Sequence, residues 1–258
     1  MATVRLIGEG IGYSASPHMH AAAFAALGLN HTYELADVRG EELPAAVDEL
    51  RASDFLGANV TVPYKATVMG RLDDVDPLAT RADAVNTIVK RDGTLTGLNT
   101  DIPAIVDEVR RLAGVPRRTV ILGAGGAARA AALALESMGA NDTVMVSRAA
   151  WPTLPSLLPE ADLLVNATPL GTNADESPLD AGSLHRGLAV LDLVYRPSPT
   201  TLVREARNRR LSARSGAGVL LGQGWRSLEA WLGRAVSDDV KRAMADALCR
   251  ELGAGADV

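Results

Sequence analysis

The chain has 258 residues, 47% of them apolar and 22% charged, which is ordinary for a folded protein and outside the ranges of disordered, collagen-like and coiled-coil chains. That length accommodates one or two domains at roughly 100 to 200 residues each. The net charge of −5, with arginines and acids interspersed, leaves no basic face for a phosphate backbone and argues against a nucleic-acid partner.

In chain order, residues 3–7 form a short apolar strand, and Ser16 with Pro17 reads as a capped start to a helix running from His18 to Leu27. A strand at Thr32 to Asp37 and a helix at Glu41 to Ala52 follow. Gly57 to Pro63 alternates, with Asn59 and Thr61 on one face and Val60 and Val62 on the other. Val85 to Lys90 and Thr94 to Leu98 flank Arg91, Asp92 and Gly93 and read as a hairpin, so this region mixes strand directions. Ile102 to Leu112 is helical, and a domain boundary near residue 101 fits.

Beyond it the pattern is strand Thr119 to Leu122, helix Gly126 to Met138, and strands at Thr143 to Ser147, Leu163 to Asn166 and Ala189 to Leu193. Strands alternating with helices imply a parallel sheet. Helices from Gly218 to Trp231 and Asp238 to Glu251 close the chain, with no strand after them, and return to the first domain. Aromatics at 3% leave a core of Ala, Val, Leu and Ile, which favours an α/β class.

No apolar run reaches the roughly 20 residues that span a bilayer, and Met1 to Gly10 lacks the charged start and long apolar core of a signal peptide. A cytoplasmic protein without a membrane partner is expected. Cys249 is a lone cysteine, and His18, His20, His31 and His185 show no metal-ligand spacing, so no metal is expected.

Gly123, Ala124, Gly125, Gly126 and Ala127 stand between an apolar strand and an alanine-rich helix. Small residues there let the backbone approach a pyrophosphate, which the helix N-terminus receives. The next strand ends in Ser147 and Arg148, where a carboxylate would select NAD(H); an arginine pairs instead with a 2′-phosphate, so NADP(H) is preferred over NAD(H).

Only three residues are lysine, against twenty-three arginines. Arginine serves as well as lysine for a solvated charge but not for proton transfer. Lys90 and Lys241 look replaceable in that sense, whereas Lys65 follows a strand end, and Asp101 closes another. A lysine can exchange a proton with a substrate oxygen that a carboxylate orients. Ser14, Ser16, Asn59, Thr61, Asn86 and Gln223 are neutral hydrogen-bonding residues suited to a hydroxylated small molecule.

Several separated stretches carry a family likeness: Ser14 to Pro17 with His20, GANVTVPYK at Gly57 to Lys65, AVNT at Ala84 to Thr87 and GLNTD at Gly97 to Asp101. It continues in GAGGAAR at Gly123 to Arg129, NATPLG at Asn166 to Gly171, DLVYRP at Asp192 to Pro197, and Gly218 to Gln223. Together they resemble the shikimate dehydrogenase family over nearly the whole chain.

The resemblance implies a substrate domain of residues 1–101 plus 219–258 and a Rossmann-like NADP-binding domain of residues 102–218, with the active site in a cleft between them. Lys65 and Asp101 are then the catalytic pair. Ser14 and Ser16, helped by Tyr195, bind the substrate carboxylate. Asn59, Thr61, Lys65, Asn86, Asp101 and Gln223 bind the rest of it.

Thr168, Gly218 and Val219 join the glycine loop, Ser147 and Arg148 at the cofactor. The implied reaction is reversible reduction of 3-dehydroshikimate by NADPH, in a monomer or homodimer. Tyr13, Ala21, Asp83 and Ala104 depart from the usual pattern. So does Val219, which replaces a methionine, and Ala149 to Pro152 lacks the Thr and second basic residue common in NADP-dependent members.

Ser16, where the branch accepting quinate tends to carry Thr, leans towards shikimate. A quinate or aminoshikimate dehydrogenase is the alternative. A non-catalytic sensor on the same scaffold is disfavoured by retention of both Lys65 and Asp101. An unrelated dinucleotide-dependent dehydrogenase leaves the first 101 residues unexplained.

Overall fold

The computed structural model describes residues 1–173 and 176–253. Positions 254–258, which the sequence places in the first domain, lie outside the described residues. Two compact units form: Met1–Thr100 with Gln223–Glu251, and Asp101–Gly222 with Leu252 and Gly253. Asp101 and residues 219–222 thus cluster with the second unit, Asp101 because it begins a helix there and 219–222 because they start a long helix shared by both units.

The first unit contains β1 (Thr3–Gly8), α1 (Ser16–Ala26), β2 (Thr32–Asp37), α2 (Leu43–Asp48), β3 (Phe55–Val60), a 3-10 helix at Thr67–Arg71, β4 (Asp74–Val75), α3 (Pro77–Ala82), β5 (Thr87–Arg91) and β6 (Thr94–Leu98). Its sheet runs β2-β1-β3-β5-β6-β4. β1 is parallel to β2 and β3, whereas β5 is antiparallel to β3 and β6, the mixture that the hairpin anticipates. Asp92 and Gly93, at φ of 48° and 80°, form the turn with the doubly positive φ of a two-residue hairpin.

Ser16 does not cap α1. Ala15 stands at the N-cap with helical dihedrals and Ser16 is already the first helical residue, its N–H donated to the Ser14 hydroxyl at 3.3 Å. The sequence reading also passes over α3. Asp76 caps it by accepting from Leu78 N at 2.8 Å, and Pro77 opens it, a start signal as good as any in the chain. Ile7, Leu50, Val68, Val85, Ile88 and Leu95 are fully buried in this unit's core, each contributing roughly 1.5–3 kcal/mol.

The second unit contains α4 (Asp101–Ala113), β7 (Arg118–Leu122), α5 (Gly126–Ser137), β8 (Asp142–Val146), a 3-10 helix at Arg148–Thr153, α6 (Leu154–Leu157), β9 (Leu163–Asn166), β10 (Ala189–Asp192), α7 (Thr201–Asn208) and β11 (Ala213–Arg214). α8 (Ala217–Leu232) begins here and ends in the first unit, followed by α9 (Asp238–Leu252). The sheet order is β11-β10-β9-β7-β8 with every neighbouring pair parallel. The expected α/β fold, one mixed and one parallel sheet, is what the chain forms. Among the described residues no helix is long and apolar enough to cross a membrane.

Each sheet has a topological switch point. β2 and β3 lie on opposite sides of β1, and β8 and β9 on opposite sides of β7. Ligands of open α/β sheets bind outside the carboxyl ends of strands at such points.

Candidate active site

In the first unit the loop leaving β1 carries Ser14 and leads to Ser16 at the first position of α1, and the loop leaving β3 carries Thr61 and Lys65. Backbone bonds from Thr61 N to Ile7 O (2.9 Å) and from Glu9 N to Val62 O (3.1 Å) hold the two strand ends together. Asp37, at the end of β2, accepts from Gly10 N at 2.8 Å and Ile11 N at 3.2 Å and so fixes the loop that presents Ser14.

Tyr64 anchors the residue before Lys65. Its buried hydroxyl lies 2.7 Å from Val38 O and 2.9 Å from a Glu9 carboxylate oxygen. Burial first, then the bond to Glu9, push the phenol up to about 12, so it remains a donor at neutral pH. The Lys65 carbonyl accepts from Val85 N at 2.7 Å, and its side chain is half-buried.

Beside this lies a buried polar network. Asn59 Nδ2 is within reach of Asn86 O (3.1 Å), Thr87 Oγ1 (3.1 Å) and Ser227 Oγ (3.0 Å), and its Oδ1 receives the Tyr33 hydroxyl at 2.9 Å. Asn86 Oδ1 takes Thr100 N at 2.7 Å, and its Nδ2 reaches Thr100 Oγ1 at 2.9 Å and Gln223 Oε1 at 3.5 Å. Ser227 Oγ donates to Gln223 O at 2.9 Å, one helical turn back along α8.

The structure thus brings Asn59, Asn86 and Gln223 together. Tyr33, Thr87, Thr100 and Ser227 complete the set and escape sequence reasoning, since only strand pairing and the return of α8 make them neighbours. His20 lies under this layer, stacked on Tyr33 at 4.4 Å; burial pushes its pKa down to about 3, so it is neutral.

In the second unit the switch point is framed by Gly123 after β7 and Thr168 after β9. Gly123 has φ of +118°, and a Cβ there would lie 3.0 Å from Ala167 O; glycine allows the two loops to meet. Gly125 caps α5 without a side chain, and Ala124 and Gly125 are exposed, with Gly126 and Ala127 half-buried. The first N–H groups of α5 therefore have no side-chain cap, the arrangement that receives phosphate.

Ser147 precedes the 3-10 helix that opens with an exposed Arg148. Tyr195 is half-buried beyond β10. Gly218 and Val219 are buried in the first turn of α8, and Asp101 opens α4, where an acid complements the helix dipole. Lys65 and Asp101 come from different units.

A family model for the shikimate dehydrogenase substrate binding domain matches residues 6–88. Shikimate dehydrogenase (NADP(+)) of Symbiobacterium thermophilum is 40% identical over 93% of this chain and 92% of its own length. The chain belongs to the shikimate dehydrogenase family.

Another shikimate dehydrogenase (NADP(+)), from Natronomonas pharaonis, is 42% identical over 89% of this chain and 93% of its own. The shikimate 5-dehydrogenase of Thermus thermophilus, solved with NADP(H) and shikimate, superposes with a TM-score of 0.87 at 35% identity, covering 98% of this chain and 100% of that one. Within the shikimate dehydrogenase pattern, Asp83 replaces a common glycine while keeping a left-handed conformation at φ 46°, ψ 46°, which aspartate tolerates better than most residues.

Proposed function

We propose that the chain is a shikimate dehydrogenase that reversibly reduces 3-dehydroshikimate to shikimate with NADPH, serving aromatic amino-acid precursor biosynthesis. The observation that carries this reading is near-full-length identity of 40% and 42% to enzymes of that name. The first unit then holds the substrate and the second the cofactor. The uncapped α5 N-terminus leaves N–H donors for the cofactor phosphates, and at Gly125 even a Cβ would meet nothing within 4 Å, so there is room for them.

Ser14 and Ser16 take the substrate carboxylate, with Tyr195 assisting. Thr61, Asn86 and Gln223 hold ring hydroxyls; Asn59, expected among them from the sequence, has its amide protons engaged by its neighbours and on this reading orients Asn86 and Thr87 behind them instead. When bound, NADPH supplies the hydride that reaches the carbonyl carbon. Lys65 gives the accompanying proton to the carbonyl oxygen and takes it back in the oxidative direction, while Asp101 accepts from the substrate and fixes its orientation.

Around the cofactor, Gly123 to Ala127 and Thr168 line the pyrophosphate. Ser147 and Arg148 meet the adenosine end, and Gly218 and Val219 the nicotinamide end. On this reading the partners are small molecules alone, and the protein is a cytoplasmic monomer or homodimer.

The test is NADPH oxidation with 3-dehydroshikimate, run beside NADH, and NADP+ reduction with shikimate, quinate and aminoshikimate. Shikimate and 3-dehydroshikimate should give the highest kcat/KM. A higher value with quinate or aminoshikimate would replace the substrate assignment.

A further inference from the structure

We infer that Trp151 is a positioning residue for Arg148, holding its guanidinium as the receptor for the adenosine 2′-phosphate and thereby helping this chain to prefer NADP(H) over NAD(H). The inference rests on the function proposed above. Residues 148–153 form a 3-10 helix, in which side chains at i and i+3 eclipse. Arg148 and Trp151 have that spacing, and the guanidinium carbon lies 5.8 Å from the indole centroid.

The indole is placed by packing. It lies half-buried against the core cluster containing Val120, Leu122 and Val146, while its Nε1–H has no hydrogen-bond partner among the described residues. Its backbone is fixed at both ends of the turn: Ala150 N donates to Ser147 O at 2.9 Å, and Leu154 N to Trp151 O. A rigid apolar platform therefore stands under a long, exposed cation.

Arg148 pairs with no carboxylate among the described residues. No other lysine or arginine occurs from Ala149 to Glu160, so a 2′-phosphate here meets this one cation from the segment. A single flexible arginine loses rotamer freedom on binding, which weakens it as a receptor. A cation–π contact takes up no hydrogen-bond donor of the guanidinium, so the platform reduces that loss without competing for the ligand.

The test compares wild type, Trp151→Ala, Trp151→Phe and Arg148→Ala by calorimetric binding of NADP+ and NAD+, with steady-state kinetics alongside. Trp151→Ala should raise the NADP+ Kd and the NADPH KM roughly two- to five-fold, the range of an exposed cation–π contact, leaving NAD+ binding and kcat unchanged. Trp151→Phe should retain most of the wild-type preference. Unchanged NADP+ binding in Trp151→Ala, or a parallel rise for both cofactors, overturns the platform.

Unchanged NADP+ binding in Arg148→Ala overturns receptor and platform together. Because binding is read without turnover, failure to reduce 3-dehydroshikimate would instead count against the proposed substrate.

Discussion

Asn166 donates an amide hydrogen to Asp192 across adjacent parallel strands at 2.8 Å, and its amide oxygen receives the N–H and hydroxyl of Thr168 at 3.1 and 2.7 Å. A buried carboxyl group thus orients the loop that meets Gly123. Thr200 Oγ1 and Val194 N also donate to Asp192, at 2.7 and 3.1 Å. These donors favour the carboxylate, yet burial outweighs them and raises the Asp192 pKa to about 6.

Because the folded pKa exceeds the unfolded one, near 3.9, Asp192 contributes stability that is full below about pH 4 and lost as pH rises through about 6. Relative to Asp192→Asn, the wild type should lose about 1 kcal/mol between roughly pH 5 and pH 7.5. Urea unfolding at the two pH values checks this. Equal pH slopes in both proteins would mean that Asp192 does not titrate in this window.

Lys65→Ala should lower kcat by roughly 10²- to 10⁴-fold, the usual contribution of a positioned general acid. Its fold should survive, since Tyr64 and the bond from Val85 N to the Lys65 carbonyl secure the segment through groups that alanine leaves in place. Lys65→Arg should be nearly as inactive, because a guanidinium keeps its proton. Wild-type kcat in the arginine variant would remove Lys65 from proton transfer.

The chemistry-bearing residues are legible in the sequence where they punctuate strand ends. Lys65 and the glycine loop stand at breaks that hydrophobic periodicity marks, and the switch points then explain why those breaks matter. Asn59 is legible as a polar residue on a strand face. That its amide is engaged by Thr87 and Ser227 is not, since Ser227 is 168 residues away and reaches it only because α8 returns to the first unit. Ser16 reads as a cap and is not one for a local reason: the helix begins one residue sooner, with Ala15 at the N-cap, Met19 N–H bonded to Ala15 O, and the Ser16 N–H taken by the Ser14 hydroxyl.

The network makes Asn59 a sharp test of burial. Asn59→Ala leaves the Tyr33 hydroxyl and the Thr87 and Ser227 hydroxyls short of a partner and should destabilise the protein by roughly 2–4 kcal/mol. Asn59→Asp, nearly isosteric, should be worse. It places a charge in a buried site and turns the donor facing Asn86 O into an acceptor. Thermal unfolding of the two variants decides the order, and a milder effect of the aspartate would mean that water enters the network.

Glu108 links α4 to the start of α8. Its side chain is 1% exposed, with Oε2 accepting from Arg214 Nε at 2.6 Å and Oε1 from Arg111 Nη1 at 2.8 Å. A Cβ on Gly218 would lie 2.4 Å from Glu108 Cδ, so glycine at 218 is required by this carboxylate. Gly218→Ala must push Glu108 away from Arg214 and should cost about 1–3 kcal/mol. Glu108→Gln leaves one acceptor oxygen where two arginine donors converge and sets an amide NH2 against the other, at a similar cost.

Since both substitutions weaken one contact, the double variant should be less destabilised than the sum of the two. A cycle that closes within about 0.5 kcal/mol would instead show that the added methyl acts elsewhere. Both single variants should also raise the NADPH KM, because the turn they disturb carries Gly218 and Val219 to the nicotinamide end of the proposed site.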